Sequence, residues 1–264
     1  MSPLSIDRLG PVAVLTLRRP AKRNALDDAT VLAVEEFFRR PDADVRAVVL
    51  DAEGDHFSAG LDLGELTERS AEQALEHSLM WHRAFDTVEG GRLPVVAALK
   101  GAVIGGGLEL AAAAHLRVAE PSAFYALPEG QRGLFVGGGG SVRIPRLIGA
   151  HRMADMMLTG RVLDAAEGQA AGLSHYLAEE GGAREKALEL AARIAQNAPL
   201  TNFAVLRALP RIAEAAPAGG LLLESLMSAV AAGSHEAQER MRAFLDGRAA
   251  KVAAANGSHG KDAR

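Results

Sequence analysis

The segment PVVAALKGAVIGGGLELAAAAHLRVAEPSAFYALPE, residues 94–129, carries the patterns that decide the fold. Its apolar run at 95–99 predicts a buried strand, and the glycines at 105–107 predict a tight turn into a helix. A helix N-terminus presents unpaired N–H groups and the positive end of the helix dipole. Glu109 in the first helical turn and Glu129 beyond a second strand could reach the same place. The segment therefore predicts an anion-stabilising turn beside two groups for proton transfer.

The composition is that of a chain able to bury a core, with 264 residues of which 48% are hydrophobic. A formal net charge of -4 provides no basic footprint for nucleic acid. The absence of cysteine excludes disulfides and thiolate catalysis and fits a reducing compartment. No apolar run approaches the roughly 20 residues of a membrane span, and the N-terminus lacks the signal-peptide pattern. We expect a cytoplasmic protein that binds neither nucleic acid nor membrane.

The rest of the chain alternates strand and helix patterns, which predicts an α/β fold with crossover connections. Strands are predicted at 12–17 and 46–51, and helices after Asp27 or Asp28 and over 70–89. The four glycines 137–140 are typical of a flexible or tightly turning loop. From residue 183 onward the pattern is helical. We expect a core over 1–199, a helical region over 200–255 that packs on the core or on another subunit, and a disordered tail over 256–264.

Several chemistries are disfavoured by missing motifs. The glycine-rich turn lacks the Lys-Ser/Thr pair of a phosphate-binding loop and the G-x-G-x-x-G spacing of a dinucleotide site. The histidines show no H-E-x-x-H and no metal-ligand spacing. Ser58 is not in a G-x-S-x-G elbow and has no evident histidine-acid partner. What remains is a metal-free site of carboxylates and backbone amides.

Ordinary interpretations compete with each of these features. The glycines 105–107 could serve only close backbone packing, and Glu129 could be a solvated loop carboxylate. The stretch FSAGLDL, 57–63, could be a simple turn in which Asp62 caps the next helix. Glu109 is harder to explain in this way, because the helix around it is otherwise apolar and offers little solvation.

Five motifs in order carry a resemblance to a known family. They are RPAKRNAL (19–26), RAVVLDAEGDHFSAGLDL (46–63), PVVAALKGAVIGGGLELA (94–111), ALPEGQRGL (126–134) and RLIGAHRMADMMLTGR (146–161). Together they closely resemble the crotonase superfamily of enoyl-CoA hydratases and isomerases. The resemblance implies an α/β spiral of ββα turns with a helical C-terminal trimerisation region. It also implies self-association as a trimer or a dimer of trimers.

The resemblance also implies the roles of the central residues. The amides of Leu61 and Gly106 would form an oxyanion hole for the thioester carbonyl of an acyl-CoA substrate. Hydratases of the family have two glutamates where Glu109 and Glu129 stand, whereas isomerases generally keep only the second. Glu109 would activate water for attack at C3, and Glu129 would protonate C2, in a syn-type addition. Coenzyme A would be part of the substrate, with no other cofactor and no metal.

Contacts to coenzyme A are implied less specifically, since a basic residue in a loop is usually only solvated. The adenine and pantetheine would lie along one set of residues, a basic side chain would lie near the phosphates, and an aromatic residue would come from a neighbouring subunit. The first set is Ala25, Ala59, Asp62 and Leu63, the basic side chain is Lys22 or Arg23, and the aromatic residue is Phe244.

Two departures from the family pattern point to one branch. Ala114 and His115 stand where many members have Cys-Asp, and Val136 with four glycines replaces P-G-x-G-G. With WHRAFDTVE, 81–89, these features are similar to the methylthioacryloyl-CoA hydratases, which implies water addition to a β-thio-substituted acryloyl-CoA. His82 could touch the acyl pocket or lie on the helix surface.

The sequence therefore predicts hydration of a 2-enoyl-CoA to a 3-hydroxyacyl-CoA. Double-bond isomerisation or another enolate reaction by Glu129 alone is the catalytic alternative. A non-catalytic scaffold or an RNA-associated protein is the alternative of another class. That alternative predicts lost carboxylates and a basic surface, and the sequence has neither.

Overall fold

The computed structural model describes residues 2–65 and 69–248, in two sheets with helices around them. The predicted tail over 256–264 and the last residues of the predicted helical region, 249–255, lie outside these residues. Within them the strands are β1 (Leu4–Leu9), β2 (Val12–Leu17), β3 (Ala47–Ala52), β4 (Val95–Leu99), β5 (Ala102–Ile104), β6 (Leu116–Ala119), β7 (Phe124–Ala126), β8 (Leu163–Asp164) and β9 (Tyr176–Leu177).

The α-helices of the described residues fall into two groups, because the chain divides into compact units over 1–210 and 211–264. Those that begin in the first unit are α1 (Asp28–Arg39), α2 (Ala71–Glu89), α3 (Gly106–Ala113), α4 (Gly140–Ile148), α5 (Ala150–Thr159), α6 (Ala165–Ala171), α7 (Ala183–Ala195), α8 (Pro199–Phe203) and α9 (Leu209–Glu214). Those of the second unit are α10 (Pro217–Ala232) and α11 (His235–Leu245). None of the helices in the described ranges is long and apolar enough to cross a membrane.

The larger sheet has the order β1-β2-β3-β4-β6-β9. The hairpin β1–β2 is antiparallel, and the other pairs are parallel. The smaller sheet has the order β5-β7-β8. An isolated bridge joins Ser58 to Val103 of β5, and a second one joins Leu26 to Leu61. Each turn of the chain thus supplies a strand to the larger sheet, an extended segment near the smaller one, and a helix. This arrangement confirms the predicted spiral of ββα units.

The central strands β2, β3 and β4 are buried on both faces, as continuous apolar runs predict. Alternate residues point to opposite sides, because the side-chain period of a strand is two. One face packs against the core shared with α1, α2 and α3. The other packs on α7 through a second cluster of small and branched residues: Val12, Val14, Ala47, Val49, Val96, Ala98, Val118, Ala183, Ala187, Leu190, Ala191 and Ala195.

Local sequence signals set the ends of several helices. Asp27, rather than Asp28, caps α1 by accepting the Thr30 N–H at 2.9 Å. Ser70 and Gln73 form a reciprocal capping box at the start of α2. Gly160, at φ +75°, ends α5 in the left-handed conformation that glycine adopts without strain.

His115 has a structural role that the sequence left open. Its Nδ1 accepts the N–H of Val95 at 3.0 Å, and its Nε2 lies 3.1 Å from the Glu89 carbonyl, to which it donates. Burial lowers the pKa of His115 to about 4, so the ring is neutral at physiological pH. The ring therefore joins the end of α2 to the start of β4.

In the second unit, large apolar side chains on α10 and α11 are exposed, among them Leu221, Leu222, Leu226, Met241 and Phe244. Such a concentration of exposed apolar residues on paired helices is typical of a surface that is covered in an assembly.

Truncating Leu190 tests the packing of α7 on the larger sheet. The side chain is 7% exposed, and Leu190→Ala is expected to lower the free energy of unfolding by about 2–5 kcal/mol through lost burial and a residual cavity. Arg193→Ala, on the exposed side of the same helix, is the control and should change it by no more than about 0.5 kcal/mol. Equal effects in chemical denaturation would contradict this packing.

Candidate active site

A cavity of about 350 Å³ lies where the start of α3 faces the 57–63 stretch, α2 and the loop before α4. Its buried end is lined by Trp81, Gly106, Glu109 and Gly138, whereas Leu134 and Phe135 line a more exposed part. The apolar lining, with a few polar groups that converge on one place, is typical of a small-molecule site.

Two backbone amides meet at this cavity without protein acceptors. Leu26 donates its N–H to the carbonyl of Gly60 and accepts from Asp62, so the N–H of Leu61 between them points to the other side. Gly106 is the first residue of α3, where helical N–H groups have no partner within the helix. A Cβ on Gly106 would lie 3.5 Å from the Leu61 nitrogen. Within the described residues neither amide donates a hydrogen bond, so both are available to an anionic oxygen.

Three glycines allow this close approach. Gly60 is at φ +87°, and a Cβ there would lie 2.6 Å from the Ile104 carbonyl oxygen. Gly105 is at φ +52°, and a Cβ there would lie 2.6 Å from Oε1 of Glu129. Gly107 does serve close packing, since its Cβ would meet the Ser58 carbonyl oxygen at 2.6 Å. The glycines therefore serve both the packing and the site.

Glu109 is a buried carboxylate, 3% exposed, on an apolar helix. Its Oε1 accepts the N–H groups of Gly138 and Gly140, each at 2.8 Å. Burial raises the pKa of Glu109, and these two amides, together with the positive charge of Arg143, oppose the rise by favouring the ionised form. The Gly137 amide acts in the same direction, and both 2.8 Å bonds are to Oε1, which leaves Oε2 as the oxygen that can take a proton.

The four-glycine run, typical in sequence of a flexible or tightly turning loop, is the second half of the Glu109 site. A Cβ on Gly140 would lie 2.7 Å from Cγ of Glu109, and one on Gly138 would lie 3.0 Å from the Phe85 ring. Side chains there would push the amides off the carboxylate. The signal was in the sequence, because a flexible loop does not need four consecutive glycines, but their partner could not be identified from the sequence.

Glu129 precedes a 3-10 turn at Gly130–Arg132, and its carboxyl lies against Gly105 in the cavity lining. Burial raises its pKa to about 7; its own backbone N–H opposes the rise and the charge of Glu109 adds to it. Its Oε2 is buried and has no hydrogen-bond partner in the described part of the chain. The structure thus brings both predicted glutamates to one cavity, where two like charges favour holding one proton between them.

Trp81, for which the sequence suggested no specific role, forms a wall of the cavity. Its ring edge lies 2.7 Å from where a Cβ on Gly106 would be and 3.2 Å from that of Gly138. It packs edge-on against Phe85, with ring centroids 5.5 Å apart. Of the two interpretations of His82, the helix surface fits better, because the histidine that lines the cavity is His77. The Nε2 of His77 lies 2.7 Å from Oδ1 of Asp28.

The predicted coenzyme A contacts are only partly at the cavity, where Ala59 and Leu63 lie in its lining. Asp62 accepts hydrogen bonds from Lys22 at 2.9 Å, the Gly64 amide at 3.0 Å and Arg19 at 2.6 Å. These bonds, that of Lys22 foremost, hold the pKa of Asp62 well below its usual range. Lys22 is therefore already paired with a carboxylate, and Lys22 and Asp62 both lie outside the cavity lining. Asp62 also caps the turn that follows it.

Three other expected contacts lie apart from the cavity lining. Ala25 is buried in the loop that packs on the 58–62 stretch, and Arg23 is in the left-handed conformation at φ +50°. Phe244 is an exposed residue of α11. The roles of these residues with coenzyme A stay predictions. Among the residues described, no group of three His, Cys, Asp or Glu could hold a metal ion.

Comparisons with known proteins agree with this geometry. The family model for enoyl-CoA hydratase/isomerase matches residues 8–253. The enoyl-CoA hydratase EchA19 of Mycobacterium tuberculosis is 33% identical over 92% of this chain and 94% of the relative. The 2,3-dehydroadipyl-CoA hydratase of Escherichia coli is 32% identical over 94% and 97%.

Solved structures extend the match to the backbone. A protein from Rhodopseudomonas palustris, provisionally assigned as an enoyl-CoA hydratase, has a TM-score of 0.92 and 64% identity over 94% of this chain and 96% of that one. The enoyl-CoA hydratase from Bacillus anthracis has a TM-score of 0.88 at 30% identity, with 93% and 97% covered. Since family model, relatives and structures agree over nearly the whole chain, it belongs to the enoyl-CoA hydratase/isomerase family, the crotonase superfamily.

Proposed function

We propose that this enzyme adds water across the C2=C3 double bond of a 2-enoyl-CoA thioester and forms a 3-hydroxyacyl-CoA. One observation carries the proposal: Glu109 and Glu129 line the same cavity as the unpaired amides of Leu61 and Gly106. Relatives whose names describe hydratases support it.

The two amides act on the thioester. Its carbonyl oxygen accepts their N–H groups, and the bonds strengthen as attack at C3 pushes electrons through C2 onto that oxygen. Donors fixed in advance in a site shielded from water lower such a barrier by about 3–4 kcal/mol each. They stabilise the enolate intermediate or the enolate-like transition state.

Glu109 and Glu129 each carry out one of the two proton transfers. Glu109, whose ionised form is favoured by two amides on Oε1, accepts a proton on Oε2 from water as the water oxygen bonds to C3. Glu129, whose pKa is raised to about 7, donates its proton to C2. The proton gained by Glu109 then returns to Glu129, and the pair is restored.

The alternatives use less of the site. Isomerisation by Glu129 alone would leave Glu109 as a buried charge with two dedicated amide donors and no task. A scaffold would not need two carboxylates with raised pKa in one cavity. Hydration uses both groups.

Coenzyme A is far too large for the cavity, so only the acyl end of the thioester can lie inside it. Because Trp81 closes the buried end, the acyl group is proposed to be short. A β-methylthio acryloyl group is a candidate on the resemblance described above. Its supports are Trp81 and the glycines 137–138, which belong to that resemblance and line the acyl end.

We further propose that the enzyme assembles as a trimer or a dimer of trimers in the cytoplasm. The exposed apolar side chains of α10 and α11 support assembly. The absence of cysteine fits a reducing compartment. Light scattering coupled to size-exclusion chromatography measures the assembly directly.

Loss of the absorbance of crotonyl-CoA measures the hydratase activity. Glu109→Gln and Glu129→Gln are each expected to lower kcat by about 10²–10⁴-fold, since each removes a positioned proton acceptor or donor. Glu36→Gln, on the exposed side of α1, is the control and should keep full activity. Absence of turnover in the unmodified enzyme, or full turnover in both site variants, would refute the proposal. Retained conversion of a 3-enoyl-CoA by Glu109→Gln would favour the isomerase.

The pH dependence follows from the two roles. Because Glu109 must be ionised and Glu129 protonated, kcat/KM is expected to be bell-shaped. It should fall in acid as Glu109 gains a proton, and fall again as pH rises through about 7, where Glu129 loses its own. Glu129→Gln should remove the alkaline limb. A profile that is flat from about pH 6 to about pH 9 would contradict the assignment.

Trp81→Leu tests the proposed limit on acyl length. Shortening this wall should raise kcat/KM for a C8 or C10 enoyl-CoA relative to crotonyl-CoA by about ten-fold or more, since each extra methylene that fits contributes binding. His82→Ala, the adjacent residue outside the lining, should leave the ratio unchanged. If the Trp81 variant and the unmodified enzyme gave the same ratios, Trp81 would not set the limit.

A further inference from the structure

We infer that Arg143 is a positioning residue, whose guanidinium is braced by α2 and fixes the glycine loop that holds Glu109. The inference rests on the proposed function, since it assigns what keeps the proposed base in place. It adds a residue that does not line the cavity.

Arg143, near the start of α4, is buried with 5% of its side chain exposed. Its Nε lies 2.7 Å from Oε2 of Glu89, and one terminal nitrogen lies 2.5 Å from Oδ1 of Asp86. The other terminal nitrogen donates to the Gly138 carbonyl at 2.9 Å. One side chain thus ties the loop before α4 to two carboxylates on the last turns of α2.

The Gly138 carbonyl, which accepts from Arg143, is the contact that matters for Glu109. It belongs to the peptide between Gly138 and Gly139. The peptides on either side of it carry the N–H groups of Gly138 and Gly140 that donate to Oε1 of Glu109. Fixing the middle peptide therefore fixes the orientation of both donors, because successive peptides are rigid planes joined at single Cα atoms.

The backbone between these peptides is set for this contact. Gly139 is at φ +94°, where residues with a side chain are strained, and a Cβ there would collide with the Arg143 guanidinium. A buried arginine with carboxylate partners is weak support for stability as such. Its planar fork, however, can satisfy three acceptors at fixed angles, which the single ammonium of lysine cannot.

The charged groups around this contact come from several elements. Asp86 and Glu89 face Arg143 from α2, and Glu109 feels its charge from α3. Glu129 and Arg132 lie beyond Glu109 in the cavity wall. Loss of the Arg143 guanidinium is therefore expected to change the surroundings of Glu109 before those of Glu129.

The test compares Arg143→Lys and Arg143→Met with the unmodified enzyme in crotonyl-CoA hydration. Both variants are expected to lose about 10²-fold in kcat, as misplacement of a catalytic group by a distant change does, while KM changes less than about three-fold. Lysine keeps the charge but not the fork, so it should not restore kcat. Glu89→Gln removes one of the two carboxylates that hold the Arg143 guanidinium and should give a smaller loss of kcat.

A second readout does not depend on turnover. Carbon-13 NMR titration of glutamate-labelled protein, with Glu109→Gln for assignment, follows the carboxyl of Glu109 directly. Its titration should move to higher pH in Arg143→Met, where the charge and the placement of the donors are both lost, and also in Arg143→Lys, where the charge stays and only the placement of the donors is lost. If no enoyl-CoA is hydrated by the unmodified enzyme, the proposed function fails, and this titration still decides the role of Arg143.

Arg184→Met is the matched control, since Arg184 pairs at 3.0 Å with the buried Asp51 and has no contact with the glycine loop. It should lower stability without changing kcat or the Glu109 titration. Retained kcat in both Arg143 variants, recovery by lysine, a rise in KM alone or an unmoved Glu109 titration would each overturn the inference.

Discussion

Burial of the Glu109 carboxylate is the constraint on which the site depends. An ionised carboxylate taken out of water carries a penalty of several kcal/mol unless fixed donors replace its hydration. The helix that carries it is apolar throughout and offers no such donors. They come from a loop about thirty residues further on, at Gly138 and Gly140. The need to solvate one group thus accounts for the glycine run, for its path against α3 and for the absence of side chains on it.

The same constraint explains why so much of the site is backbone. Amides at Leu61, Gly106, Gly138 and Gly140 are fixed by strands, bridges and helix starts, so they need no reorganisation when charge moves during the reaction. Side chains at the three glycines among these positions would meet Trp81, Phe85 or Glu109. In the proposed reaction two carboxylates suffice for proton transfer, and their surroundings differ: Glu109 has two amide donors, and Glu129 has an unpaired buried oxygen.

The fold was accessible from the sequence because its signals are local. Periodicity gave β2, β3 and α2, and single residues such as Ser70 and Gly160 marked the ends of helices. The two glutamates were found for the same reason, as charges in apolar surroundings or at the end of a strand. The tertiary partners could not be found in this way. Nothing near residue 109 indicates that Gly138 and Gly140 solvate it, and nothing near residue 143 indicates that α2 supplies its carboxylates.

The predicted contacts to coenzyme A rested on the family resemblance alone, and the structure shows why the residues themselves gave no such prediction. Lys22 and Asp62 satisfy each other in the chain as it stands, so neither carries a mark of a missing ligand. An unpaired group signals a function, whereas a paired one is compatible with many.

Helix α2 carries Trp81 on one side of the site and the braces Asp86 and Glu89 further along. One residue added or removed between them would rotate one set against the other by about 100°. The length of the span 81–89 is therefore fixed by the need to keep these two sets of side chains in their relative orientation.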